Sequence, residues 1–123
     1  QSGQAGQSEG GKVKLADIVH ELSLDLLTGE SGLDREVSGG YCGDLLSDVM
    51  ANAEKGSVWI TIQRHQNIIA VALLKELAAI IFANGYHPDP ETLEKAKEEG
   101  IPLLVSSLAA YELAGNLYKA GIE

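Results

Sequence analysis

The stretch from Val58 to Val105, VWITIQRHQNIIAVALLKELAAIIFANGYHPDPETLEKAKEEGIPLLV, decides the fold class. It contains three short apolar runs: Val58-Trp59-Ile60-Thr61-Ile62, Leu77 to Phe82, and Pro102-Leu103-Leu104-Val105. Their β-branched and aromatic side chains pack well on a pleated surface, so each run predicts a strand. Between the first two lies the apolar segment Ile68 to Leu74, where Asn67 in front as a cap and Lys75-Glu76 behind favour a helix. Between the last two the signals are sharper. Asp89 stands as a cap, Pro90 takes the first helical position, Glu91 follows in the first turn, and Gly100 sits just past the end. The strand centres, near Ile60, Ile80 and Leu104, are 20 and 24 residues apart. Strand-helix-strand crossovers have this spacing, and they join parallel strands.

Working outward, Ser106 or Ser107 is expected to cap a last helix whose apolar face holds Leu108, Leu113, Ala114 and Leu117. On the amino side a helix should begin near Asp44, turn Leu45, Leu46, Val49, Met50 and Ala53 inward, and stop at Gly56. Glu30 to Gly40 reads as an exposed loop, with Tyr41 and Cys42 as a brief strand after it. Ser23-Leu24-Asp25-Leu26 alternates polar with apolar and continues to Thr28-Gly29, a short strand ending in a turn. Leu15, Ile18, Val19 and Leu22 fall at i, i+3, i+4 and i+7, which opens the domain with an amphipathic helix. The expected architecture is α/β in three layers, a mostly parallel sheet of about four or five short strands with helices on both faces. Residues 13–123 are expected to form a single domain. Residues 1–12, rich in Gly, Ser and Gln, read as a flexible tail or cloning remnant.

The chain has 123 residues, 45% of them hydrophobic and 22% charged, which suits one ordinary domain and excludes a disordered class. Its lone cysteine, Cys42, has no internal partner for a disulfide, so a reducing compartment is the simpler expectation. The amino end lacks the basic start and apolar stretch that export needs, which points to the cytoplasm. The apolar runs fall short of the ~20 residues that cross a bilayer. Nine basic against 18 acidic residues give a formal charge of -9, which repels a phosphate backbone and argues against nucleic-acid binding.

In an open parallel sheet, ligands gather beyond the carboxyl ends of the strands, where loops are exposed and helix amino ends point free N–H groups. That rim collects Gln63, Arg64, His65, Gln66 and Asn67, then Asn84, Gly85, Tyr86 and His87, and finally Ser106 and Ser107. The ligand-binding candidates among them are Arg64, His65, Asn67, Asn84, His87, Ser106 and Ser107. Arg64 leads, since a guanidinium beside helix amino ends can hold a phosphate by paired hydrogen bonds. The bland alternative is a set of polar loop residues and caps, with Arg64 in a surface ion pair.

His65 and His87 lack a third ligand at convincing spacing, so no metal site is expected. Gly6 to Val13 matches G-x-x-x-x-G-K, but valine stands where a magnesium-binding hydroxyl belongs and no apolar strand precedes it. Cys42 has no neighbouring histidine in sequence, and no nucleophile elbow, H-E-x-x-H pair or C-x-x-C is present. No catalytic residue is therefore assigned, and no cofactor is expected. The Ser38-Gly39-Gly40 step is compatible with a tight turn or with a nest of backbone N–H groups that holds an anion, which adds Ser38, Gly39 and Gly40 to the candidates.

Ser38-Gly39-Gly40, Asp44-Leu45-Leu46-Ser47-Asp48-Val49, Val58-Trp59-Ile60-Thr61 and Gly100-Ile101-Pro102-Leu103-Leu104 together resemble the DRTGG domain family, over a span from about Leu15 to Ile122. Serine replaces the threonine of the naming motif, and Asp34-Arg35 lies two residues too early to be contiguous with it. The resemblance implies an α/β domain related to the amino-terminal domain of HPr kinase/phosphorylase, whose kinase chemistry belongs to a separate phosphate-loop domain. It implies a regulatory role rather than catalysis. In CBS-linked pyrophosphatases the neighbouring CBS pair binds adenine nucleotides and the DRTGG part helps form a dimer. The expected function is thus a non-catalytic, dimeric regulatory domain that senses a small anionic metabolite such as an adenine nucleotide. The alternatives are an assembly subunit of a larger metabolic or redox complex without a small-molecule ligand, and a small enzyme using His65 or His87 as acid or base.

Overall fold

The computed structural model describes residues 13–123. The expected phosphate-loop-like match and the amino-terminal tail lie outside the described residues, apart from Val13. Five strands form the main sheet: β2 (Asp25–Thr28), β4 (Gly39–Cys42), β5 (Ser57–Thr61), β6 (Ala79–Phe82) and β7 (Leu103–Val105). They lie in the order β2-β7-β6-β5-β4. β5, β6 and β7 run parallel, as their spacing predicts, β4 is parallel to β5 as well, and β2 is antiparallel to β7. A separate two-stranded ribbon pairs β1 (Val13–Lys14) with β3 (Glu36–Val37).

Alternation along each strand sorts the core into two layers, because successive side chains point to opposite faces. Val58 and Ile60 of β5, Ala79 and Ile81 of β6 and Leu104 of β7 join Leu15, Ile18, Leu113 and Leu117. The last four come from α1 (Leu15–Leu22) and α5 (Ala110–Lys119), so these two helices cover one face. On the other face Trp59, Ile80, Phe82, Leu103 and Val105 meet Val49 of α2 (Leu46–Asn52), Ile68, Ile69 and Ala72 of α3 (Asn67–Leu74), and Ala96 of α4 (Pro90–Glu99). The three-layer α/β expectation holds. Among the described residues no helix is long and apolar enough to cross a membrane.

Several local expectations are corrected. Glu30 to Gly40 is not a loop throughout: Glu30–Gly32 forms a 3-10 turn, and Val37, 4% exposed, draws β3 into the structure. Ser38-Gly39-Gly40 is neither a tight turn nor a nest, because Gly39 and Gly40 are extended in β4 and neither has positive φ. Ladder bonds to β5 decide this. A Cβ at either glycine would meet its nearest neighbour at 3.5 Å, an ordinary contact, so conformation does not demand glycine there. Asp44 does not open α2; its Oδ1 accepts from Thr61 Oγ1 at 2.7 Å and from the Ile62 N–H at 2.8 Å. With its carboxylate turned to β5, α2 starts two residues later, and Leu45 and Met50 stay exposed rather than packing inward. Asn67 is the first residue of α3 and not its cap. Leu77 and Ala78 precede β6. Ser106 and Ser107 do not cap α5, whose cap is Ala109; the Ser106 hydroxyl accepts instead from the Leu108 N–H at 3.1 Å, a local turn that competes with capping.

Candidate functional site

Parallel strands bring the loops after β5, β6 and β7 to one rim, and hydrogen bonds staple those loops together. Arg64, after β5, offers its carbonyl to the Asp89 N–H at 3.1 Å and to the Thr92 hydroxyl at 2.6 Å. Its Nε donates to the His87 carbonyl at 2.7 Å. The next loop is tied on in turn: the Asn84 N–H reaches the Leu108 carbonyl at 2.8 Å and the Gly85 N–H reaches the Ser106 carbonyl at 2.7 Å. Both Asn84 and Gly85 have positive φ, 58° and 70°, and this left-handed pair turns the chain back toward β7. Asparagine tolerates that region better than most non-glycine residues.

The guanidinium of Arg64 lies 5.9 Å from the Tyr86 ring centroid, within cation–π range. Nε is occupied, yet the two terminal nitrogens have no partner among the described residues, and no carboxylate there pairs with them. The surface ion pair is therefore not what holds Arg64. A cavity of about 370 Å³ opens beside it, lined by Asp44, Ile62, Gln63, Arg64, His65 and Asp89. Its two carboxylates are already engaged. Asp44 serves Thr61 and Ile62, and Asp89 Oδ2 lies 3.1 Å from His65 Nδ1. Asp89 stands at the N-cap position of α4 as expected, but its side chain makes no capping bond.

Of the sequence-derived candidates, the rim gathers Arg64, His65, Asn67, Asn84, His87, Ser106 and Ser107. His87 Nδ1 lies 3.1 Å from the Gly85 carbonyl, and Ser106 is buried while Ser107 is exposed. Ser38, Gly39 and Gly40 are not brought to it. Ser38 precedes β4 at the amino pole, where its hydroxyl donates to the Lys55 carbonyl at 2.7 Å. Sequence reasoning placed Gln63 on the rim but not among the binding candidates, and missed Asp44 as a wall residue; Gln63 Nε2 donates to the Asp44 carbonyl at 2.8 Å. The only signal was their place beside the strand ends, and Asp44 had a plainer use as a cap.

A larger cavity, about 460 Å³, lies at the amino pole between Arg35, Lys55, Glu76, Ala78 and Glu99. Its cations are spent. Arg35 donates from both terminal nitrogens, to the Ala78 and Gly100 carbonyls at 3.2 Å each, and Lys55 pairs with Glu76 at 3.3 Å. Burial, aided by the Asp44 charge, raises the pKa of Cys42 above its ordinary 9.0, which suppresses the thiolate. Among the described residues no group of three or more His, Cys, Asp or Glu is arranged to hold a metal ion.

A profile of the DRTGG domain matches residues 17–120. The chain belongs to the DRTGG domain family. No curated protein matches it. Among solved structures, the CBS and DRTGG domains of the regulatory region of Clostridium perfringens pyrophosphatase, complexed with the activator diadenosine tetraphosphate, superpose with a TM-score of 0.65 at 17% identity. The match covers 83% of this chain and 44% of that one, so this DRTGG chain spans less than half of the relative, and the likeness is one of fold.

Proposed function

We propose that this DRTGG chain, acting through residues 13–123 as one unit in the cytoplasm, is a dimeric regulatory module that senses a small anionic metabolite such as an adenine nucleotide. The observation that carries the reading is the state of Arg64. Its Nε is fixed on the His87 carbonyl, so the guanidinium is oriented before any ligand arrives; Arg64 lines the cavity, and its two terminal nitrogens have no hydrogen-bond partner among the described residues. A planar fork held in this way suits paired bonds to phosphate oxygens. His65 and Asn67 stand at the start of α3 beside it, and Asn84, His87, Ser106 and Ser107 extend the polar rim. The pyrophosphatase relative supports the ligand class, since its regulatory region was solved with a dinucleotide activator. Ser38, Gly39 and Gly40 take no part in this rim.

Calorimetry on the full chain with AMP, ADP, ATP and diadenosine tetraphosphate tests the reading. Binding by at least one of them is expected, and Arg64→Ala should weaken it by a factor of about 10 to 100, the loss of a charge-assisted pair. Failure of all four to bind, or equal binding by Arg64→Ala, overturns it.

A further inference from the structure

β4 ends the main sheet on one side and β2 on the other. Edge strands present unpaired N–H and C=O groups, and proteins usually blunt them with charges, proline or bulges. β2 is blunted: Asp25 opens it and its register shifts between Leu26 and Thr28. β4 is not. It reads Gly39-Gly40-Tyr41-Cys42, carries no charge, and keeps unbroken register on β5 from Gly39–Ser57 to Cys42–Ile60. The Gly43 N–H donates to the Ile60 carbonyl at 3.1 Å, so by alternation Tyr41 also faces β5. Gly40 and Cys42 therefore direct their backbone groups outward, with no hydrogen bond among the described residues.

The helices on the two faces of this edge carry exposed apolar side chains as well. α5 packs on β4 and leaves Tyr111 90% and Tyr118 62% exposed. On the opposite face, where the Tyr41 hydroxyl donates to the Asp48 carboxylate of α2, Leu45 is 68% and Met50 38% exposed. Among the described residues, β4 is an open strand flanked on both sides by exposed apolar side chains, the kind of surface that marks interaction sites.

We propose that β4 pairs antiparallel with β4 of a second copy about a two-fold axis at Tyr41, joining two five-stranded sheets into one. This rests on the dimeric reading above and names the surface that makes the dimer. The geometry is self-complementary: Gly40 stands opposite Cys42 of the partner subunit, and Cys42 opposite Gly40 of the partner subunit. Each pair exchanges two backbone hydrogen bonds. No charged residue lies from Ser38 to Gly43, so two chains of formal charge -9 set no like charges against each other along the strand. The same operation brings the flanking α2 and α5 surfaces of both copies toward the seam.

Residues opposed in this way have Cα atoms about 5.5 Å apart, within disulfide range. Gly40→Cys places a thiol opposite Cys42 of the partner subunit, and the Cβ it adds meets Ile122 at 3.5 Å and Val58 at 3.9 Å, both ordinary contacts. Wild-type chain is expected to sediment as a dimer. Under oxidised glutathione, Gly40→Cys should give a covalent dimer by non-reducing gel and intact mass, and Gly40→Cys with Cys42→Ser should lose the disulfide that links positions 40 and 42. Gly40→Pro removes the outward donor and should raise the dimer dissociation constant by about tenfold or more, with an unchanged far-UV circular dichroism spectrum showing that the fold is kept. A wild-type dimer that resists cross-linking while its thiols remain open to labelling overturns the β4 seam and leaves the dimeric reading standing. A wild-type monomer at tens of micromolar overturns both.

Discussion

Arg35 and Arg64, the two arginines of the chain, sit at opposite poles of the sheet and differ in which nitrogens are committed. In Arg35 both terminal nitrogens hold backbone carbonyls, so its side chain is a strut. In Arg64 only Nε makes a hydrogen bond among the described residues, and the guanidinium lies against the Tyr86 ring. The same residue-level reading applies to Cys42, which is exposed yet sits where burial and the nearby Asp44 charge disfavour the thiolate. A raised pKa means less thiolate at a given pH, hence slower alkylation. The rate of Cys42 modification by iodoacetamide is expected to rise with pH along a curve whose midpoint lies above that of a free thiol. Asp44→Asn should shift that midpoint downward by removing the repelling charge. A midpoint at or below the ordinary thiol value in wild-type chain would contradict the electrostatic account.

At the level of elements, the turn after β2 leaves the least room for a side chain of any described glycine. Gly29 has φ of +93°, and a Cβ there would stand 2.4 Å from the Pro102 Cα. The obstacle is backbone, which cannot swing aside. Gly29→Ala is expected to lower stability by about 3 kcal/mol, combining left-handed strain with overpacking, read as a drop in the denaturant midpoint. The element pattern was largely legible from residues. The β5, β6 and β7 runs are apolar on both faces, and Pro90 with Gly100 bracket α4, where Gly100 takes the expected left-handed conformation with φ of +72°. What escaped was decided by partners distant in sequence. β3 exists because two residues find β1, and Gly39-Gly40 is extended because β5 offers a ladder. Asp44 could satisfy either a helix start or the end of β5, and only the tertiary arrangement chose. The same limit explains the site. Arg64 and the rim loops follow from strand order, whereas the placement of Ser38 at the other pole follows from β4 being parallel, which two glycines do not announce.

At the level of the whole molecule, the sheet divides labour between its poles. The loops after β5, β6 and β7 hold the oriented guanidinium and the smaller cavity, and the amino ends hold the clamps. Hydrogen exchange in the presence of a saturating adenine nucleotide should therefore show added protection at the first turns of α3 and α4, with Ala78 to Phe82 unchanged. Protection confined to the amino pole would place the ligand in the other cavity. Arg35 gives this expectation its mechanical content. By gripping the carbonyls of Ala78 and Gly100 it pins the entrance of β6 to the exit of α4, two points 22 residues apart in the chain. A frame anchored at its base does not flex to accommodate a guest at its mouth. With a ligand at the mouth as proposed, the response is expected in the loops of the rim rather than at the base that Arg35 clamps.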